Sequence, residues 1–201
     1  MEERIVEKLP LIGEPAPHFE AVTTNGNMSF PEDYKGKWVV FFSHPADFTP
    51  VCTTEFMTFA RMQEEFREIN TELVGLSVDG LQAHIEWIRS MKDINYRGVK
   101  GADVTFPVIV DISMDVSKKY GMIQPEQSTT SAVRAVFVID PKGIIRTILY
   151  YPQELGRNMD EIKRIVLGLQ KADKGFALPA DWRPGEDVIV PPARTVAKAE
   201  E

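Results

Sequence analysis

An α/β fold, a central mixed sheet with helices on both faces, is what this chain's residue pattern predicts. Three observations carry that prediction. Short apolar runs alternate with helical periods from Trp38 to Tyr120. A β-hairpin follows, Arg134 to Asp140 and Ile144 to Tyr150 around the turn Pro141-Lys142-Gly143. A last amphipathic stretch then opens at Asn158-Met159-Asp160, with Ile162, Ile165, Val166 and Leu169 on one face and Asp160 near the N-cap.

Each element has a local reason. Residues 1–15 read as an extended lead-in punctuated by Pro10, Gly13 and Pro15. Phe19 to Thr24 is a short strand, turned by Asn25-Gly26-Asn27 onto Met28-Ser29-Phe30. Trp38-Val39-Val40-Phe41-Phe42 is a buried strand, and the spacing of Phe56, Phe59, Met62, Phe66 and Ile69 predicts a helix after it. Glu72 to Asp79 is a second buried strand, and Leu81 to Lys92 a helix with Ile85, Ile88 and Met91 inward. Phe106 to Asp111 is strand-like, and Met114 to Tyr120 a short helix ended by Gly121. Beyond Lys174 the helical period stops. Phe176 to Pro192 reads as an arm laid over a surface, and Thr195 to Glu201 as a frayed polar end. The expected organisation is one domain over residues 1–174 and an arm over 175–201.

Composition narrows the function. A length of 201 residues suits one core with an appendage. The formal charge of −7 argues against nucleic acid and anionic membranes as partners. No apolar run reaches membrane-spanning length, and Met1-Glu2-Glu3-Arg4 opens no secretory signal. One cysteine allows neither an internal disulfide nor a cysteine-rich zinc site, which fits a reducing, cytoplasmic setting.

That cysteine is the centre of interest. Cys52 falls on the turn between the Trp38 strand and the helix that follows, where free N–H groups and the helix dipole favour an anion. Pro50 suits a first helical position. A lone cysteine is more often a buried structural residue, but nothing about burial calls for Pro45-x-x-x-Thr49 ahead of it.

Pro45, Thr49 and Cys52 together form P-x-x-x-T-x-x-C, which resembles the active-site signature of the peroxiredoxins. The likeness extends through Ser43-His44-Pro45 and Thr53-Thr54-Glu55, and the tail from Pro179 to Pro191 is similar to that of the 1-Cys subfamily. It covers nearly the whole chain, from about Leu11 to Pro192. The resemblance implies a thioredoxin-like fold in which Thr49 stands where thioredoxin has the first cysteine of its pair. It implies a thiol peroxidase without metal, haem, flavin or other cofactor, reducing hydrogen peroxide and organic hydroperoxides.

The same resemblance assigns roles. Cys52 is the nucleophile that becomes a sulfenic acid. Thr49 turns its hydroxyl toward sulfur and peroxide, an N-cap role being compatible. Pro45 shields the sulfur or simply ends the strand. Arg134, at the head of an apolar strand, faces the thiolate and stabilises the transition state; the plain alternative is a solvent-facing arginine. Glu55 tethers an arginine, or is an acid favoured by the helix dipole. Arg157 and His44 are expected on the substrate side, His44 having a satisfied pocket histidine as its alternative. Trp87 and Trp182 line the pocket, a subunit contact or the core. His18 and His84 carry no assigned role.

Typical 2-Cys relatives have a resolving cysteine near the C-terminus, and none is present here. An external thiol or thioredoxin-like partner is therefore expected to recycle Cys52. Some archaeal relatives run past Pro191 and Pro192 into a cysteine-bearing extension, and a chain ending at Glu201 is compatible with either arrangement. The arm implies a homodimer and, in some members, assembly into a ring. A holdase or scaffold is the rival reading from another class, separable by whether suppression of client aggregation survives Cys52→Ser.

Overall fold

The computed structural model describes residues 9–191. In chain order the elements are β1 (Phe19–Thr23), β2 (Gly26–Phe30), β3 (Trp38–Ser43), α1 (Pro50–Glu68), β4 (Thr71–Ser77), α2 (Leu81–Ser90), β5 (Asn95–Tyr96), β6 (Val99–Lys100), β7 (Val108–Val110), α3 (Asp115–Lys119), β8 (Arg134–Ile139), β9 (Ile145–Tyr151) and α4 (Met159–Ala172). The chain divides into two compact units, one up to Met159 and one from Asp160 onward.

The first unit is built on a seven-stranded sheet of order β2-β1-β7-β4-β3-β8-β9. β4 lies parallel to β3 and β7, and the remaining pairs are antiparallel, so the sheet is mixed. β3 lies inside the sheet between β4 and β8, and all six of its residues are buried. A strand covered on both faces has no polar side to show, which is why its sequence reads as an unbroken apolar run.

Alternation along β3 sends Val39 and Phe41 to one face and Val40 and Phe42 to the other. The first face joins Phe19, Phe30, Phe137 and Ile139, with Val116 of α3 and Tyr120 just after it. Tyr120 meets Phe41 edge-on at 5.0 Å. On the second face Phe42 stacks on Phe59 of α1 at 4.5 Å and meets Phe56 at 5.6 Å. α2 joins that side through Trp87, 4.5 Å from Phe56. Gly75 of β4 sits under this contact: a Cβ there would lie 3.2 Å from the Phe56 ring and 3.4 Å from that of Phe42.

The second unit holds α4, with Ile162 and Val166 fully buried, and the arm. Asp160 lies inside the first turn of α4, since the helix already begins at Met159. Ala177 bridges Ile189 antiparallel. Trp182 is buried, its indole N–H donating to the Glu186 carbonyl at 3.2 Å while its own carbonyl accepts from Arg164 at 3.3 Å. The arm thus closes on itself around Trp182. Residues 1–8, Pro192 and the polar end from Thr195 lie outside the described residues. The hairpin of β5 and β6 was not foreseen in the sequence.

Candidate active site

β3 delivers the chain to the site. Just beyond it, the His44 N–H donates to the Leu76 carbonyl at 2.9 Å, which extends the parallel ladder to the lip of the sheet. The chain then turns through Pro45 to Phe48, where Phe48 takes φ of 59° and leaves its ring largely exposed. A bulky residue in the left-handed region is uncommon and costs backbone energy, so the turn is held by its surroundings. Thr49 occupies the N-cap of α1 and Pro50 its first turn.

Thr49 does not cap the helix, contrary to one of the roles open to it from sequence. Its hydroxyl donates back to the Ala46 carbonyl at 2.9 Å, tightening the turn, and no side-chain cap forms. The first-turn N–H groups of α1 are therefore left without a side-chain partner from Thr49, beside the sulfur. Cys52, the third residue of α1, is a free thiol and fully buried.

One guanidinium reaches it. Arg134, which opens β8, places Nη1 at 3.3 Å from Cys52 Sγ and at 2.8 Å from Glu55 Oε2. Its Nε and Nη2 both donate to the Gln153 carbonyl, at 2.9 and 2.6 Å. Glu55, one helical turn after Cys52, is gripped from the other side by Arg157: Nε donates to Oε1 at 2.9 Å, Nη2 to Oε2 at 2.7 Å, and the Arg157 backbone N–H to Oε1 at 2.8 Å. Arg157 Nη1 is spent on the Ser43 and Ala135 carbonyls, each at 2.9 Å, and its guanidinium stacks over Phe42 at 5.2 Å. These donors hold Glu55 and the sheet edge, so the substrate-side position expected of Arg157 is a place in the frame. Burial works against charge on Glu55, but the charge and hydrogen bonds of Arg157, with the charge of Arg134, hold its carboxyl below the usual carboxylate value.

His44 enters a second cluster. Its Nε2 donates to Asp47 Oδ1 at 2.8 Å, and His84 Nδ1 meets Asp47 Oδ2 at 2.7 Å. The Asp47 backbone N–H donates to Asp79 Oδ2 at 2.9 Å, which Ser77 Oγ also reaches at 2.8 Å. Burial pulls the His44 imidazole below its ordinary value in spite of Asp47. Burial likewise opposes charge on Asp47, yet hydrogen bonds from both histidines keep its carboxyl below the usual value. His44 packs on Phe56 and Trp87, and the Trp87 N–H donates to Thr53 Oγ1 at 3.1 Å. His44, Asp47 and Asp79 offer ligand atoms within 4.8 Å of one another, and His44 Nε2, both Asp47 carboxylate oxygens and Asp79 Oδ2 each make one of the hydrogen bonds just given.

The structure thus brings Cys52, Arg134, Glu55 and Arg157 into one cluster, puts Pro45 and Thr49 in the turn beside it, and gives His44 to another. Sequence reasoning passed over Asp47, His84 and Gln153. Asp47 lay inside the motif, three residues after His44. His84 offered only a histidine near the start of a helix, and Gln153 acts through its main chain. A guanidinium beside a buried sulfur can stabilise negative charge that forms there and moves onto a neighbouring oxygen.

The chain is similar to known proteins over most of its length. The chain matches the AhpC/TSA family over residues 12–148 and the C-terminal domain of 1-Cys peroxiredoxin over residues 168–201. A peroxiredoxin of Methanosarcina mazei is 64% identical over 195 residues, covering 96% of this chain and 89% of the relative. One from Aquifex aeolicus is 53% identical over 205 residues, covering 96% and 90%. Among solved structures, a cysteine-to-serine variant of peroxiredoxin 6 from Arenicola marina superposes with a TM-score of 0.84 at 37% identity, over 92% of this chain and 86% of that one. A yeast mitochondrial 1-Cys peroxiredoxin gives 0.82 at 42% identity, over 92% and 88%. No helix among the described residues is long and apolar enough to cross a membrane. The sheet and helices are those of the thioredoxin-like fold, and with its single buried thiol set under an arginine, this chain belongs to the peroxiredoxin family of thiol-dependent peroxidases.

Proposed function

We propose that the chain is a peroxidase of the 1-Cys type, reducing hydrogen peroxide and organic hydroperoxides through a sulfenic acid at Cys52. The observation that carries this reading is the 3.3 Å approach of Arg134 Nη1 to Cys52 Sγ. The thiolate attacks one peroxide oxygen and the O–O bond breaks. That oxygen stays on sulfur as S–OH, and the other leaves as alkoxide or hydroxide and takes up a proton to become alcohol or water. Negative charge passes from sulfur to the leaving oxygen, and Arg134, anchored by Glu55, is the group placed to follow it. Thr49 and Pro45 shape the turn around the sulfur, while Arg157 and His44 hold its frame.

These 201 residues contain no second cysteine. On our reading an external reductant recycles Cys52: one thiol condenses with the sulfenic acid, releasing water and leaving a mixed disulfide, and a second thiol frees Cys52. The yeast relative is described as resolved by glutathione and thioredoxin systems, and a reductant of that class is our reading here. The working unit is a cytoplasmic homodimer, with a ring of dimers as its higher form and the arm from residue 175 at the contact. The test is intact mass after one equivalent of peroxide, with and without a dimedone-type probe. A single probe adduct on Cys52, lost in Cys52→Ser together with all peroxidase activity, is expected. An active serine variant, or oxidised protein that takes up no probe, overturns the proposal.

A further inference from the structure

Arg134 is aimed by what holds its far side. Two of its donors converge on one acceptor, the Gln153 carbonyl, and this fork fixes the plane of the guanidinium so that Nη1 is left for Glu55 and Cys52. Gln153 lies two residues beyond Tyr151, the β9 residue paired with Arg134 itself. The carbonyl therefore belongs to a loop, which needs something to keep it in place.

The Gln153 side chain does that. Its Nε2 donates to Ser131 Oγ at 2.8 Å and to the Ala132 carbonyl at 3.2 Å, pinning the residue to the strand lead that ends at Arg134. The pin has backing. Ser131 Oγ donates on to Ser128 Oγ at 2.9 Å, which also accepts the Thr130 and Ser131 N–H groups at 3.2 and 3.1 Å. The Gln153 N–H in turn donates to Gln127 Oε1 at 3.3 Å. The segment from Gln127 to Ala132 thus acts as a jaw that closes on Gln153.

We infer that Gln153 is a positioning residue for the peroxidase reaction, its amide latched to Ser131 and Ala132 so that its carbonyl directs Arg134 onto Cys52. Without the latch the carbonyl drifts, and the guanidinium keeps its charge but loses its aim. Displacements of about an ångström are enough to slow a positioned reaction on the order of tenfold to a hundredfold. The inference rests on Arg134 acting at Cys52 as proposed above.

The test compares single-turnover oxidation of Cys52 by hydrogen peroxide in the unaltered protein and four variants. Gln153→Met keeps the length of the side chain but removes its donors, and oxidation should slow on the order of tenfold. Gln153→Lys restores a donor of similar reach and should recover part of the rate, which a loss of packing alone would not give. In an Arg134→Lys background, Gln153→Met should have almost no further effect, because the group it aims is gone. A full rate in Gln153→Met, no recovery in Gln153→Lys, or an undiminished effect in the Arg134→Lys background overturns the positioning role. If Arg134→Lys alone keeps the full rate, the reading of the site falls, and the role of Gln153 with it.

Discussion

Two buried carboxylates in the sheet-bearing unit are each held between two side chains able to carry positive charge, and the kind of partner separates their roles. Glu55 lies between Arg134 and Arg157, and guanidinium is the side chain that ordinarily keeps its charge. Asp47 lies between His44 and His84, and imidazole is the side chain whose charge ordinarily changes near neutral pH. The arginine cluster touches the sulfur; the histidine cluster ties the ends of β3 and β4 and the start of α2 to the active turn. A permanent charge stands where charge must be met during reaction, and a conditional one where loop geometry is held.

The sharpest way to break the comparison is at Glu55. Glu55→Gln removes the one negative charge shared by two buried arginines, and the loss should be about 3–5 kcal/mol in denaturant unfolding, with peroxidase activity falling alongside. Next comes Arg134→Lys. A single ammonium cannot span the Gln153 carbonyl, Glu55 and Cys52 at once, and the peroxide rate constant should drop roughly a hundredfold or more in stopped-flow mixing. Asp47→Asn keeps the shape but leaves one histidine facing an amide, at about 1–3 kcal/mol of stability. Activity should suffer less than in Arg134→Lys; an equal loss would erase the distinction between the clusters.

Acid separates the clusters without mutation. Because the folded value of His44 lies below its ordinary 6.5, the unfolded chain binds that proton first. His44 therefore costs the fold nothing above pH 6.5, and stability drains away as pH falls from there and proton uptake favours the unfolded chain. Glu55, with a folded value below 4.5, keeps its contribution until pH drops under that point. Denaturation midpoints measured from pH 8 downward should therefore decline in two stages, and His44→Gln should remove the first alone. The smallest effect on activity is expected from Trp87→Phe, which loses the hydrogen bond to Thr53 Oγ1, at about 1 kcal/mol, and part of a buried ring's packing, and leaves the arginine cluster intact.

Much of this arrangement is legible in the amino-acid sequence. β3 and β4 could be read because strands covered on both faces must be apolar throughout. Cys52 could be read because proline and threonine at fixed spacing mark a turn into a helix, and Arg134 because a charge at the head of a buried strand invites a reason. Other parts left no local trace. β5 and β6 are two-residue strands bearing largely exposed side chains, so no alternation betrays them. Asp47 and His84 meet across 37 positions of chain, and no short-range pattern connects them. The Thr49 hydroxyl donates to the Ala46 carbonyl, an acceptor that only the backbone of the turn brings within reach and that neither role read from the sequence named. Gln153 contributes a carbonyl, which every residue possesses.

Gly75 gives the architecture a depth stop. Its bare backbone lets the Phe56 ring settle against β4, and Phe56 stands one turn along the helix from the reactive thiol. A methyl group added there would lie 3.2 Å from the Phe56 ring and 3.4 Å from that of Phe42, so the ring carried by α1 would have to yield by a few tenths of an ångström. The spacing of the chemistry is thus metered from beneath, by a residue in a strand that never meets peroxide, and an alanine at this position should dull the enzyme while leaving every reacting group in the chain.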